Sequence, residues 1–414
     1  MLKHGRPEAM DGDLAMKTLK LQIVIVFALA LTVIARADDG APLSEQFNIK
    51  LPRGIPSDLW EYFVPKDNPL TASKVELGRR LFFDKRLSVD GTISCATCHD
   101  PRFAFADNKK VAEGVGGRRG ARNSPTVLNA MFGSSQFWDG RAESLEAQAK
   151  LPLISPDEMG NESHEQVVAR LQKIDEYRQL FKEVFGGPVT IDGVARAIAA
   201  YERTLVSGNS PFDRYIAGDS DALSESAQRG FGLFRGKARC NVCHTFNQAF
   251  PLLTDYMYRN TGVAANNTTF EALARQAAQA ARNNLPMNKL DEFARSEGGQ
   301  SLGRFLITGN SLDIGSFKTP SLRDVELTAP YFHDGSAATL ETVIRFYIKG
   351  GNHNQNRDWQ LEPINLTEGE QRDLIEFLKS LTGDDTRRMV ESGTSDLQRP
   401  AFDVGQLNIR DTRR

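Results

Sequence analysis

A mainly α-helical fold built from two related domains is predicted by three features of the sequence. Apolar residues recur at helical spacing over several segments, and no stretch alternates convincingly as a strand would. The run Gly78-x-x-Leu81-Phe82 returns as Gly230-x-x-Leu233-Phe234, an internal repeat. Each copy leads into a Cys-x-x-Cys-His motif, Cys95-Ala96-Thr97-Cys98-His99 and Cys240-Asn241-Val242-Cys243-His244. A chain of 414 residues, 40% of them hydrophobic, is long enough to give two such domains a core each.

Residues 1–37 are expected to be an export signal. Lys17 and Lys20 precede the apolar stretch Leu21–Ile34, which is too short to span a bilayer, and Ala35-Arg36-Ala37 suits signal-peptidase cleavage before Asp38. Asp11 and Asp13 are foreign to a basic leader, so Met16 stands beside Met1 as an alternative start. No later segment is apolar enough to cross a membrane. The mature protein is therefore expected in the periplasm, with no membrane contact after cleavage.

The first helix of the mature chain is expected to open with Ser73 and Glu76 as a capping box, and its counterpart with Ser224. The first copy has the longer linker before its motif, centred on Asp84–Gly91, which predicts a loop. Further helices are expected at Glu165–Val184, Asp192–Leu205, Phe270–Asn284, Thr339–Ile348 and Glu368–Leu381. In the last, Thr367 and Glu370 make a capping box, Leu374, Leu378 and Leu381 share a face, and Gly383 stands past the end. The boundary near Ser207–Ser210 divides the mature chain into domains 38–206 and 207–414. Residues 247–316 read as a long polar excursion whose Ala-rich helix carries no legible chemistry.

Lys plus Arg (51) nearly balances Asp plus Glu (53), and no basic run interleaves with aromatics, which argues against a nucleic-acid partner. Four cysteines in an exported chain would ordinarily suggest two disulfides. All four instead fall in the two motifs, each pair followed directly by a histidine. That is the attachment signature of c-type haem, in which two thioether bonds hold the porphyrin and the histidine ligates the iron. The expected architecture is thus two cytochrome c-like domains, each holding one covalent c-type haem between helices. The sixth ligand then decides whether a haem carries electrons or binds peroxide. Beyond the motifs the mature chain offers His164, His333 and His353, and His164, in Glu162-Ser163-His164-Glu165, reads as a solvated helix start.

Five runs resemble the bacterial di-haem cytochrome c peroxidase and MauG family. They are Leu81-Phe82-Phe83-Asp84, Ser94–His99, Arg122-Asn123-Ser124-Pro125-Thr126, Phe137-Trp138-Asp139-Gly140-Arg141-Ala142 and Thr328-Ala329-Pro330-Tyr331-Phe332-His333-Asp334-Gly335. They bracket both haem motifs in the family's order. The resemblance implies that His99 ligates a peroxidatic iron and His244 an electron-transfer iron. It assigns Glu158 as the distal acid–base group, which could shift a proton between peroxide oxygens. Gln148 would orient peroxide or Glu158, and Trp138 would relay electrons between the haems. It also assigns Asn123, Thr328 and Pro330 to a calcium ion, a cation that favours such oxygen donors, and gives His333 a place near the haems without iron ligation. Without the resemblance, Glu158 would read as an exposed helix-start acid and Trp138 as a core aromatic.

Two departures bear on the subtype. Val115 stands where the family's peroxidases carry a histidine that blocks the peroxidatic iron, and valine cannot ligate iron. Tyr347, ahead of Met257 and His353 as a candidate, stands where they carry the methionine ligand of the second haem, as in MauG-type proteins. MauG itself has a tryptophan at the position of Ala238. The expected activity is reduction of hydrogen peroxide by a periplasmic di-haem peroxidase, with electrons from a small redox protein, a cytochrome c or cupredoxin, passing through the second haem. The alternative is a MauG-like enzyme that uses peroxide-derived high-valent iron to oxidise a residue of a protein substrate, which Val115 and Tyr347 favour. A non-enzymatic di-haem electron carrier is the third reading, and the lack of a His or Met for the first haem's sixth position argues against it.

Overall fold

The computed structural model describes Phe47, residues 49–283 and residues 287–393, with the backbone alone for residues 287 and 288. The expected export signal lies outside the described residues. Among them, no helix is long and apolar enough to cross a membrane.

The described residues open with α1 (Ser57–Tyr62) and α2 (Ala72–Phe83). The cap of α2 is Thr71, whose hydroxyl accepts from the Lys74 amide, and not the expected Ser73. Glu76 instead pairs with Arg79 and Arg80 along the helix. A turn at Lys85–Leu87 and a loop then lead to the first haem motif, as the linker length suggested. Next come α3 (Leu145–Ile154), α4 (His164–Gln172), α5 (Asp175–Phe185) and α6 (Ile191–Glu202). The single helix expected over Glu165–Val184 is thus two, because Ile174 is extended at φ −101° and ψ 112°. The break turns Tyr177 and Phe181 back onto the core that already holds Val167 and Leu171.

The second half contains α7 (Pro211–Ile216), α8 (Glu225–Arg235), α9 (Phe270–Arg282), α10 (Met287–Arg295), α11 (Leu340–Ile348), α12 (Glu368–Lys379) and α13 (Asp384–Ser392). Ser224 caps α8 and the Thr367–Glu370 box caps α12, both as read from the sequence. The strands among the described residues are two short ones, β1 (Tyr258–Arg259) and β2 (Phe317–Lys318), paired antiparallel.

The sequence repeat is a repeated helix crossing. On α2, a Cβ added to Gly78 would lie 1.8 Å from the Ala197 carbonyl oxygen of α6. On α8, a Cβ added to Gly230 would lie 2.0 Å from the Asp373 carbonyl oxygen of α12. Glycine lets both helix pairs touch backbone to backbone. Around the first crossing lies a core of Leu77, Leu81, Phe82, Val194, Ile198 and Tyr201. Around the second lies one of Phe212, Phe234, Leu374, Phe377 and Leu378. The two halves close on each other: Met389 and Val390 of α13 pack against the first core, and Leu252 joins Phe132, Leu145 and Ala199 in a further cluster. The excursion at 247–316 is not simply polar. Phe270, Leu273, Ala277, Leu302, Phe305 and Ile314 form a core of its own, against which Trp138 packs.

Candidate haem sites

Ser94 and Thr97 cap each other around the single helical turn Cys95–Cys98, which presents both thiols and His99 to one cavity. Nδ1 of His99 donates to the Phe105 carbonyl at 3.2 Å. A carbonyl only accepts, so this bond fixes the tautomer and leaves the Nε2 lone pair for a metal. The same wall carries Gln148 and Glu158 from α3 and the loop after it, and also Trp138 and Glu202. Among the described residues His99 is the only histidine lining it, but Met159 lines it too, so the expectation that no methionine is available to this side does not hold. Burial pushes the Glu158 carboxyl above its usual range.

Val115 explains itself only in three dimensions. Its amide donates to the Glu158 carbonyl at 2.9 Å, and its side chain is buried against Gly160. Arg118 of the same loop donates to the Pro156 carbonyl at 2.8 Å. The Val115 loop therefore holds the backbone around Glu158. His164 bonds the Lys150 carbonyl at 2.9 Å through Nε2 and is away from the cavity wall, so it is a tied helix-start residue rather than a merely solvated one.

The second cavity repeats the device. Cys240, Cys243 and His244 line it, and His244 Nδ1 donates to the Leu253 carbonyl at 3.0 Å. Tyr347 of α11 lies on this wall, and burial raises its hydroxyl well above the usual phenol range. Met257 is 58% exposed and His353 sits in an exposed loop, and neither is on the wall. Ala238 is buried on it and makes no surface contact point.

Trp138 lines both cavities. Its indole Nε1 donates to the Asn123 carbonyl at 2.9 Å, while the Asn123 amide donates to the His333 carbonyl at 2.9 Å. The rings of Trp138 and His333 meet edge to face with centroids 6.5 Å apart, and His333 stacks on Phe317 at 3.5 Å. These two residues occupy equivalent places. Gln136 bridges to Ala142 as Tyr331 bridges to Ala337, with left-handed φ at both Phe137 and Phe332. The sequence reading missed this second repeat, although Phe-Trp-Asp-Gly-Arg-Ala and Phe-His-Asp-Gly-Ser-Ala differ only at Trp/His and Arg/Ser. Asn123, Thr328 and Pro330 share the second wall, and Asn123 Nδ2 donates to the Lys109 carbonyl at 2.9 Å.

The residues fit haem. All four cysteines are free, and burial pushes Cys98 and Cys240 up to about 12, with Cys95 and Cys243 also raised. Burial thus favours the neutral thiol form at all four. Among the described residues no cluster of three or more His, Cys, Asp or Glu could hold a metal ion. Arg122 on the first wall and Arg259 on the second each carry a buried Nε without a partner, donors suited to a cofactor that bears carboxylates. Arg122 is otherwise paired with Asp139 at 2.6 Å.

Two cavities, each lined by a Cys-x-x-Cys-His turn whose histidine is tied through Nδ1, suit a di-haem c-type cytochrome. The family model for di-haem cytochrome c peroxidase matches residues 72–221. MauG, the methylamine utilization protein of Methylorubrum extorquens, is 39% identical over 356 residues, covering 86% of this chain and 88% of the relative. Cytochrome-c peroxidase IdrP1 of Denitromonas iodatirespirans is 40% identical over 323 residues, covering 77% and 84%. The crystal structure of a MauG-like protein associated with microbial copper homeostasis superposes with a TM-score of 0.66 at 32% identity, covering 88% of this chain and 99% of that one. The chain belongs to the di-haem cytochrome c peroxidase family. It is an oxidoreductase with two c-type haems.

Proposed function

We propose that the protein is a periplasmic peroxidase that reduces hydrogen peroxide at the His99 side, with electrons entering at the His244 side from a cytochrome c or cupredoxin. One observation carries this reading: Glu158 and Gln148 stand on the His99 wall, which has no second histidine among the described residues, while Tyr347 stands on the His244 wall. The thiols of Cys95, Cys98, Cys240 and Cys243 would hold the haems, in domains 38–206 and 207–414. When bound, the haems supply irons that bind peroxide on one side and exchange electrons on the other. Glu158, largely buried, would move a proton from one peroxide oxygen to the other, which prepares the second oxygen to depart once electrons arrive from the haem. Gln148 orients that carboxyl or the peroxide. Trp138, fixed by its bond to Asn123, lies on the route between the two cavities. Asn123, Thr328 and Pro330 offer neutral oxygens to a calcium ion. The export signal pattern supports the periplasmic location.

A second reading, oxidation of a residue in a protein substrate as in MauG, is favoured by Tyr347, since an anionic oxygen ligand stabilises ferric and higher iron more than a thioether does. The test is electron paramagnetic resonance of the oxidised wild type and of Tyr347→Phe, followed by peroxide titration. One high-spin iron that reacts with peroxide without prior reduction is expected. Two low-spin irons would refute the open site and turn attention to Met159, which lies on the same wall. Unchanged low-spin signals in Tyr347→Phe would remove Tyr347 as a ligand and, with it, the second reading.

A further inference from the structure

Glu202 is the last residue of α6, is 4% exposed, and lines the His99 cavity. Its Oε2 has no hydrogen-bond partner. A buried carboxylate without a partner is costly, and a helix C-terminus adds a further unfavourable field. The repeat shows that this charge is special to one half. Gly78 abuts Ala197 and Tyr201, and Gly230 abuts Asp373 and Phe377, so Glu202 is the counterpart of Leu378. Leu378 lines the His244 cavity as Glu202 lines the other. The scaffold accepts an apolar residue at this place, and only the His99 side carries a carboxyl there.

The neighbouring charges compensate Glu202 only in part: the Arg203 charge favours its carboxylate, Glu146 opposes it, and burial outweighs both. Arg203 is committed to Glu146 of α3 through bonds of 2.7 and 3.0 Å. On α2, Glu76 is held by Arg79 and Arg80, while the Lys74 ammonium donates to Asn68 and to the Pro69 carbonyl. Tyr201 flanks Glu202 on its own helix, Cys95 lies close enough to feel its charge, and Glu158 shares the cavity wall.

We propose that Glu202 is a proton-accepting group toward the His99-side haem: for each electron that haem takes from a one-electron donor, Glu202 takes one proton from solvent. The balance is one electron to the iron and one proton to the carboxylate, with no bond broken. Ferric haem carries a net positive charge that favours the carboxylate, and its loss on reduction favours the acid. Burial already places the Glu202 carboxyl at about 8, within reach of such a change. Glu202 acts here on the haem's reduction and not on peroxide, so the inference rests on haem occupancy of the His99 cavity alone.

The test is a redox titration of the intact holoprotein across neutral and mildly alkaline pH, followed by the absorption bands of each haem, after haem content has been measured to separate a missing haem from a missing proton. In the wild type, the reduction equilibrium of the His99-side haem should weaken by up to tenfold per pH unit, equivalent to about 59 mV for one electron. It should be flat in E202Q and in E202L, while E158Q keeps the slope and the His244-side haem gains or loses none. A slope that survives E202Q, moves to E158Q, or is absent from the wild type overturns the proposal. Should the Glu202 variants fail to fold, redox-difference infrared spectra of the wild type decide it: reduction must raise a protonated-carboxyl carbonyl band that shifts in D2O, and its absence refutes the assignment.

Discussion

The helix crossing at Gly230 can be tested against a control two residues away. Both Gly230 and Gly232 lie inside α8, and alanine is favoured over glycine in a helix interior by about 0.8–1.0 kcal/mol. At Gly232 a Cβ meets nothing within 4 Å, so Gly232→Ala should stabilise by up to about 1 kcal/mol. At Gly230 the Cβ would lie 2.0 Å from the Asp373 carbonyl oxygen and 2.8 Å from Phe377 Cβ, where ordinary contact begins at 3.4 Å. The obstacle is backbone, which cannot swing aside as a side chain can, so α8 and α12 must separate. Overpacking a close-packed interior costs about 1–3 kcal/mol, and a backbone clash belongs at the upper end. After the propensity gain, Gly230→Ala should lose about 2 kcal/mol, leaving the two variants about 3 kcal/mol apart. Urea unfolding of the holoproteins, followed by far-ultraviolet circular dichroism, measures both. Equal stability of Gly230→Ala and Gly232→Ala would refute the argument that the repeated glycine exists for close helix contact.

Glu158→Gln should leave the haem spectra of the oxidised protein unchanged while slowing reaction with peroxide by about 10²–10⁴-fold in stopped-flow measurements, the usual worth of a positioned acid–base group. Because burial raises the Glu158 carboxyl, its basic form is lost as pH falls through that raised value, so the wild-type rate should drop at a higher pH than an exposed glutamate would give; a rate flat through mildly acidic pH would count against Glu158. Asp213 and Arg323, both 3% exposed, form a paired bond at 2.8 and 2.9 Å, and Asp213→Asn should cost about 3–5 kcal/mol by leaving the arginine charge buried alone. Burial alone would raise the Asp213 carboxyl, but the Arg323 charge and the hydrogen bonds hold it below its usual range. The pair's contribution is therefore present above the unfolded-state value and lost as pH falls through the folded one, and acid should destabilise the wild type more steeply than Asp213→Asn.

The sequence by itself determined the local and the covalent. Cys-x-x-Cys-His puts two thiols and a histidine on one turn whatever surrounds them, and Ser224 or the Thr367–Glu370 box caps a helix with atoms a few residues away. The Gly-x-x-Leu-Phe repeat was visible for the same reason, although its cause, two backbones in contact, was not. Tertiary structure decided what depends on distant partners. It broke the helix expected over Glu165–Val184, because Tyr177 and Phe181 gain more by turning onto the core than by continuing straight. It gave residues 247–316 a core of their own, which their polar average had hidden. It brought Trp138 and His333 face to edge from positions far apart in the chain, and set Val115 against the carbonyl of Glu158. It also buried Glu202 at the place where the other half keeps Leu378, since the worth of a carboxyl is set by the dielectric and the charges around it, which no stretch of sequence contains.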